Sequence, residues 1–147
     1  MKNVKTGRVL KARNDKYGYL RLNLYDENAI MKTYKVHRLV ANAFINNPND
    51  KECVDHKNND KKNNHISNLR FATYSENQQN SKLSSRNTSN VKGISFNKRA
   101  KKWHAQIMID GIKIHIGLFA NLEDAKIARI NRANQAFGVY TNACEKL

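Results

Sequence analysis

Cysteine is scarce in this 147-residue chain. Its two cysteines, Cys53 and Cys144, lack CxxC companions, so neither a disulfide framework nor a thiolate zinc site is indicated. Acidic residues are also few, 12 Asp and Glu against 27 Lys and Arg. No apolar run approaches the roughly 18–20 residues that a membrane span needs. The opening Met1-Lys2-Asn3-Val4-Lys5 lacks the apolar stretch of a signal peptide. These shortages point to a reducing cytoplasm rather than to a secreted scaffold or a membrane protein.

What is abundant is basic charge, at a formal +15, and asparagine, at 22 residues. Residues 1–82 carry 16 basic and 8 acidic side chains, and residues 83–147 carry 11 and 4. A chain with 39% hydrophobic residues can fold, yet a charge this far from zero favours a polyanionic partner. Because the excess lies in both halves, it suggests a long contact with nucleic acid, not a disordered basic arm. A generic basic component, of the kind found in ribosomes, is the alternative that charge alone leaves open.

Short strands are expected first, over 7–14, over 17–25 with Leu20, Leu22 and Leu24 on one face, and over 31–36. From His37 the period changes. Leu39, Val40, Ala43 and Phe44 share one helical face, and Asn46-Asn47-Pro48-Asn49 ends that helix. A strand over 52–55, a polar loop over 57–67 and a strand over 69–73 come next, with Ser75 as the expected cap of a helix over 76–82. Residues 83–90 are rich in Ser, Asn and Thr and read as a linker. Beyond it, a short strand over 92–97 is followed by a hairpin. Trp103, Ala105, Ile107 and Ile109 alternate with polar neighbours, Asp110-Gly111 makes the turn, and Ile112, Ile114, Ile116 and Leu118 alternate again. An amphipathic helix then runs from Leu122 to Phe137, capped by Asn121 and ended by Gly138. The domains expected are thus 1–82, a linker at 83–90, and 91–147.

Asp55-His56, followed by Asn68 and Asn77, carries the chemistry. Phosphodiester hydrolysis needs a water, a base for its proton and a cation for the charge on phosphate and leaving oxygen. A histidine titrates near neutrality and suits the base. One carboxylate with an amide oxygen suits Mg²⁺ or Mn²⁺. At the end of a strand Asp55 and His56 point to opposite sides, and a strand and helix packed behind would return Asn77 to the side of Asp55. With this much asparagine, two Asn at two prescribed positions arise by chance in about 2% of such sequences.

Val36-His37-Arg38-Leu39-Val40-Ala41-Asn42-Ala43-Phe44, Val54-Asp55-His56, Asn68-Leu69-Arg70 and Glu76-Asn77-Gln78-Gln79-Asn80 together resemble the HNH nucleases, in particular their phage homing branch. The resemblance implies an α+β chain with a ββα-metal unit. In it His56 is the general base, Asn68 braces the loop that orients His56, and Asp55 and Asn77 hold one Mg²⁺ or Mn²⁺. The substrate implied is double-stranded DNA, with no small-molecule cofactor beyond the metal. One metal site per chain means that cutting both strands takes a dimer or two events. Arg70 is a candidate phosphate contact. His37, at the start of the apolar helix, is expected to be a packed, hydrogen-bonded imidazole rather than a ligand.

A second resemblance covers 91–137. Lys92-Gly93-Ile94, Trp103-His104-Ala105-Gln106-Ile107, Ile116-Gly117-Leu118-Phe119 and the run from Glu123-Asp124-Ala125 to Ala133 are similar to the Apetala/ethylene-response-factor DNA-binding domain. It implies a three-stranded sheet laid in the major groove and packed on one helix. The outward residues would be Lys92, Ser95, Asn97, His104, Gln106, Met108, Lys113 and His115. Arginine is missing at several of those places, and His115 stands where the plant pattern has Trp. Lys92, Lys98, Arg99, Lys101, Lys102 and Lys113 would then supply phosphate contacts, with Gln106, Asn97 and Ser95 as the base-edge candidates and His115 on the same DNA-binding face. The reading is a metal-dependent DNA endonuclease positioned by its C-terminal sheet. A DNA-binding regulator with a vestigial nuclease site, and an RNA-binding basic protein, are the alternatives.

Overall fold

The computed structural model describes residues 6–142. They form two compact units, Met1–Phe71 and Ala72–Leu147. Cys144 lies outside the described residues.

In the first unit, β1 (Arg13–Asn14), β2 (Leu20–Tyr25) and β3 (Met31–Lys35) make an antiparallel sheet in the order β1-β2-β3. The turns are aspartate-built. Asp15 Oδ1 accepts from the Tyr17 and Tyr19 amides, and Asp26 Oδ1 from those of Asn28 and Ile30, the Asx geometry that favours Asp before a reversal. The first strand is shorter than expected, because its Lys- and Arg-rich run offers no apolar face to bury and Val9 stays exposed.

α1 (Val36–Phe44) follows β3 directly and packs against β2 and β3. Its buried residues are His37 and Ala41, one turn apart, while Ala43 and Phe44 are exposed. The inward face is therefore rotated from the one read off the apolar spacing. The strands lie on the side of His37, and tertiary contact overrides the pattern. β4 (Cys53–His56) pairs with β5 (Leu69–Ala72), and a 3-10 turn at Ile66–Asn68 leads into β5.

The second unit begins with α2 (Tyr74–Gln79). Its cap is Thr73, not Ser75. Thr73 Oγ1 accepts from the Glu76 amide while Glu76 accepts from the Thr73 amide, a reciprocal box that satisfies two end donors at once. The Ser75 hydroxyl instead accepts from the Asp110 amide. Within 83–90 the chain is pinned by hydrogen bonds. Ser89 is buried, its hydroxyl donating to the Val91 and Ile94 carbonyls, and Asn87 Nδ2 donates to Val91 O.

β6 (Ile94–Asn97), β7 (Lys102–Ile109) and β8 (Ile112–Phe119) form an antiparallel sheet in that order, with α3 (Leu122–Phe137) packed on it. Val91, Ile94, Ala105 and Ala125 make one core cluster, Ile107, Ala133 and Phe137 another, and Ile116 packs against both. Gly93 has φ +69°, and a Cβ there would lie 2.1 Å from the Gln106 carbonyl oxygen. Only glycine lets β7 come this close. The Asn121 side chain caps α3 by accepting from the Asp124 amide, and Gly138 ends it.

One irregularity alters the expected alternation. Ala105 pairs with Gly117 but Gln106 pairs with His115, so Ile116 is an extra residue in β8. The strict alternation put Leu118 inward with Ile112, Ile114 and Ile116. The bulge sends Leu118 outward, opposite His104, and turns Gly117 and Phe119 toward the core side with Ala105 and Trp103.

Candidate active site

β4 and β5 bring Asp55, His56, Asn68 and Arg70 together in the first unit. Asp55 and His56 end β4 and are both buried, at 4% and 5% exposure. Charged and titratable side chains are kept inside only with partners, and both have them. Arg70 Nε and Nη2 each lie 2.7 Å from Asp55 Oδ2. Arg70, read in the sequence as a phosphate contact, thus spends its guanidinium on the buried carboxylate.

His56 Nε2 lies 2.9 Å from Asn64 Oδ1. An amide oxygen only accepts, so the neutral ring carries its proton on Nε2 and its basic nitrogen is Nδ1. Asn64 was not singled out in the sequence, where it is one of 22 asparagines. Asn68 braces the loop between the strands from both sides. Its Oδ1 accepts from the Asn58 amide at 3.1 Å, and its Nδ2 donates to the Asn63 carbonyl at 2.8 Å. The Asn68 carbonyl also accepts from the Lys57 amide. Asn59 takes φ +60° and its amide reaches back to the His56 carbonyl, closing the turn directly after His56.

Rings pack behind His56. His37 meets it edge-on at 5.0 Å between centroids, and Tyr19 lies 4.9 Å from His37 and 6.0 Å from His56. The ammonium groups of Lys35 and Lys61 sit over the Tyr19 ring at 4.8 and 4.7 Å. Burial, and next the neighbouring His56, push the His37 imidazole down from 6.5 to about 4. His37 is therefore neutral and packed, but the expected hydrogen bond is not seen at Nδ1, which is buried without a partner. Burial raises the Cys53 thiol and the Tyr19 phenol above their ordinary ranges, so neither is an activated nucleophile near neutrality.

Asn77 stands in α2 of the second unit, half-buried, with its amide donating to the Thr73 carbonyl. Among the described residues no group of three or more His, Cys, Asp or Glu side chains forms a metal cage. The donors on offer are one carboxylate and amide oxygens, a hard set that fits Mg²⁺ or Mn²⁺ better than a thiophilic ion. A cation at Asp55 would share the carboxylate with Arg70.

On the sheet of the second unit, Ser95, His104 and Leu118 lie in one cross-strand row, Gln106 and His115 in the next, Met108 and Lys113 in the third. His104 Nε2 and His115 Nδ1 are 2.8 Å apart with the rings stacked. Asn97, Lys98 and Arg99 are exposed where β6 turns into β7. Lys92 does not stand free on this face, since its ammonium is held by the Gln79 carbonyl.

Residues 34–79 match the HNH endonuclease family. The DNA endonuclease I-HmuI of Bacillus phage SP01 is 40% identical over 89 residues, which cover 60% of this chain and 49% of that protein. The uncharacterized HNH endonuclease L245 of Acanthamoeba polyphaga mimivirus is 44% identical over 77 residues, 52% of this chain and 23% of that one. The chain therefore spans half or less of these relatives. A solved structure describing DNA binding and cleavage by the HNH homing endonuclease I-HmuI superimposes with a TM-score of 0.51 at 28% identity, covering 93% of this chain and 72% of the other. Among the described residues no helix is long and apolar enough to cross a membrane.

Proposed function

We propose, from the match of residues 34–79 to the HNH endonuclease family, that the chain is a metal-dependent endonuclease hydrolysing phosphodiester bonds of double-stranded DNA. The observation that carries this reading is His56 held by Asn64 beside the buried Asp55–Arg70 pair, on a loop braced by Asn68.

His56 takes the proton of the attacking water on Nδ1, while Asn64 keeps the Nε2 proton in place and fixes the ring. Asn68 holds the loop that carries Asn64, and Arg70 orients the carboxylate of Asp55. Asp55 and Asn77 would hold one Mg²⁺ or Mn²⁺. When bound, such an ion supplies positive charge to the phosphate and to the leaving 3′ oxygen. Residues 91–147, read as an Apetala/ethylene-response-factor-like module, position the duplex. Their outward polar rows and the exposed Lys98, Arg99 and Lys113 support that part. The division of labour follows the sequence, with 1–82 cutting and 91–147 holding DNA. One site per chain nicks, and a double-strand break takes two chains or two events.

Supercoiled plasmid with Mg²⁺ or Mn²⁺ tests the proposal. The native protein nicks it. His56→Ala keeps DNA binding without nicking, and Asp55→Ala or Asn77→Ala abolishes metal-dependent cutting. Full activity in EDTA would remove the metal, and equal loss of binding and cleavage in His56→Ala would make that histidine structural. A regulator with a vestigial site would shift the plasmid's mobility and never nick it.

A further inference from the structure

Resting on the reading of the second unit's sheet as the DNA face, we propose that Leu118 and Met108 read thymine 5-methyl groups in the major groove, so that the sheet selects A·T-containing sites. The bulge at Ile116 is what makes this possible. It takes Leu118 out of the apolar face and places it opposite His104, where it is 44% exposed. Met108 stands two rows away on the same face, 46% exposed and opposite Lys113.

Between the two apolar contacts lies the Gln106–His115 row, while His104 and Ser95 share the row of Leu118 and Asn97 stands further along β6. A major groove offers two things that such a set matches. Gln and Asn pair in bidentate fashion with adenine N6 and N7, and an apolar side chain meets the methyl group that only thymine carries. The residue that reads guanine best, arginine, is absent from these rows. Charge complementarity favours DNA as the occupant. Lys102 and Lys113 belong to the strands, Lys98, Arg99 and Lys101 to the connection between β6 and β7, and all five are exposed. The basic groups hold the backbone, and the rows between them meet the base edges.

The experiment uses the full chain in EDTA, at one stated salt concentration, against a pool of duplexes with a randomised core. The best-bound sequence is then remade with deoxyuridine for each thymidine, a change that deletes the methyl and keeps every hydrogen bond. Selection of A·T pairs at the centre is expected, with affinity falling about fourfold for each contacted methyl removed. Leu118→Ala should bind the thymidine and deoxyuridine duplexes with a smaller difference than the native chain does. Equal affinity of the native chain for both duplexes, or an undiminished difference in Leu118→Ala, overturns the inference. Gln106→Ala and Lys113→Ala separate this from the reading beneath it. If both weaken binding while the methyl has no effect, the sheet is the DNA face and only methyl reading fails. If neither weakens binding, the DNA face itself is elsewhere and both fail.

Discussion

His37 makes the first unit sensitive to acid, and the size of the effect follows from its surroundings. In an unfolded chain its imidazole titrates near 6.5, whereas burial holds it at about 4 when folded. Between those values the unfolded state binds the extra proton, so this contribution to stability is complete above about pH 6.5 and is lost as the pH falls toward 4. Linkage over that interval gives about 2 kcal/mol lost between roughly pH 7.5 and pH 5. His37→Phe keeps an aromatic ring against Tyr19 and His56 but cannot titrate. Amide exchange over Val36–Phe44, corrected for its intrinsic pH dependence, is the assay, because it reads the first unit alone. Trp103, the single tryptophan, lies in β7 of the second unit, so its fluorescence provides an internal control. The native helix should lose about 2 kcal/mol of protection between the two conditions, and His37→Phe much less. A variant as acid-sensitive as the native protein would acquit His37 and shift the effect to other groups.

Asn68→Ala removes one acceptor and one donor from the loop after His56, and should cost about 2–4 kcal/mol by urea denaturation, with nicking reduced further than binding. Unchanged stability would mean the loop is held by other contacts. Gly93→Ala combines a left-handed backbone with a Cβ driven against the Gln106 carbonyl. It should cost about 2–4 kcal/mol, read from the thermal transition of Trp103 fluorescence.

Much of the fold was legible because periods are legible. The hairpin around Asp110-Gly111, the long final helix with its Asn121 cap, and the order of the strands around Asp55 all show in spacing and turn chemistry. The misreadings have local causes. A bulge leaves no mark in an alternating run of isoleucines, so Leu118 reads in phase with Ile112, Ile114 and Ile116. The buried face of α1 is set by the strands it meets, which outweigh the apolar stripe ending at Phe44. Thr73 outcompetes Ser75 as a cap because Glu76 lies three residues after it and can answer back. At the site, Asp55, His56 and Asn68 were visible as a spaced set. Asn64 was not, because nothing separates one asparagine from its many neighbours until a loop folds it onto a ring. Arg70 was visible as a cation, but its carboxylate partner lies fifteen residues back in sequence and becomes apparent only once the two strands pair.

The exit of α2 is fastened by Asn142, whose side-chain amide donates to the Asn80 carbonyl. That donor is added 62 residues after its acceptor. At about 5–20 residues per second of synthesis, the ribosome takes about 3–12 s to supply it. Throughout that time the helix bearing Asn77 lacks its final tether, and a nascent chain arrested anywhere before Asn142 never acquires it.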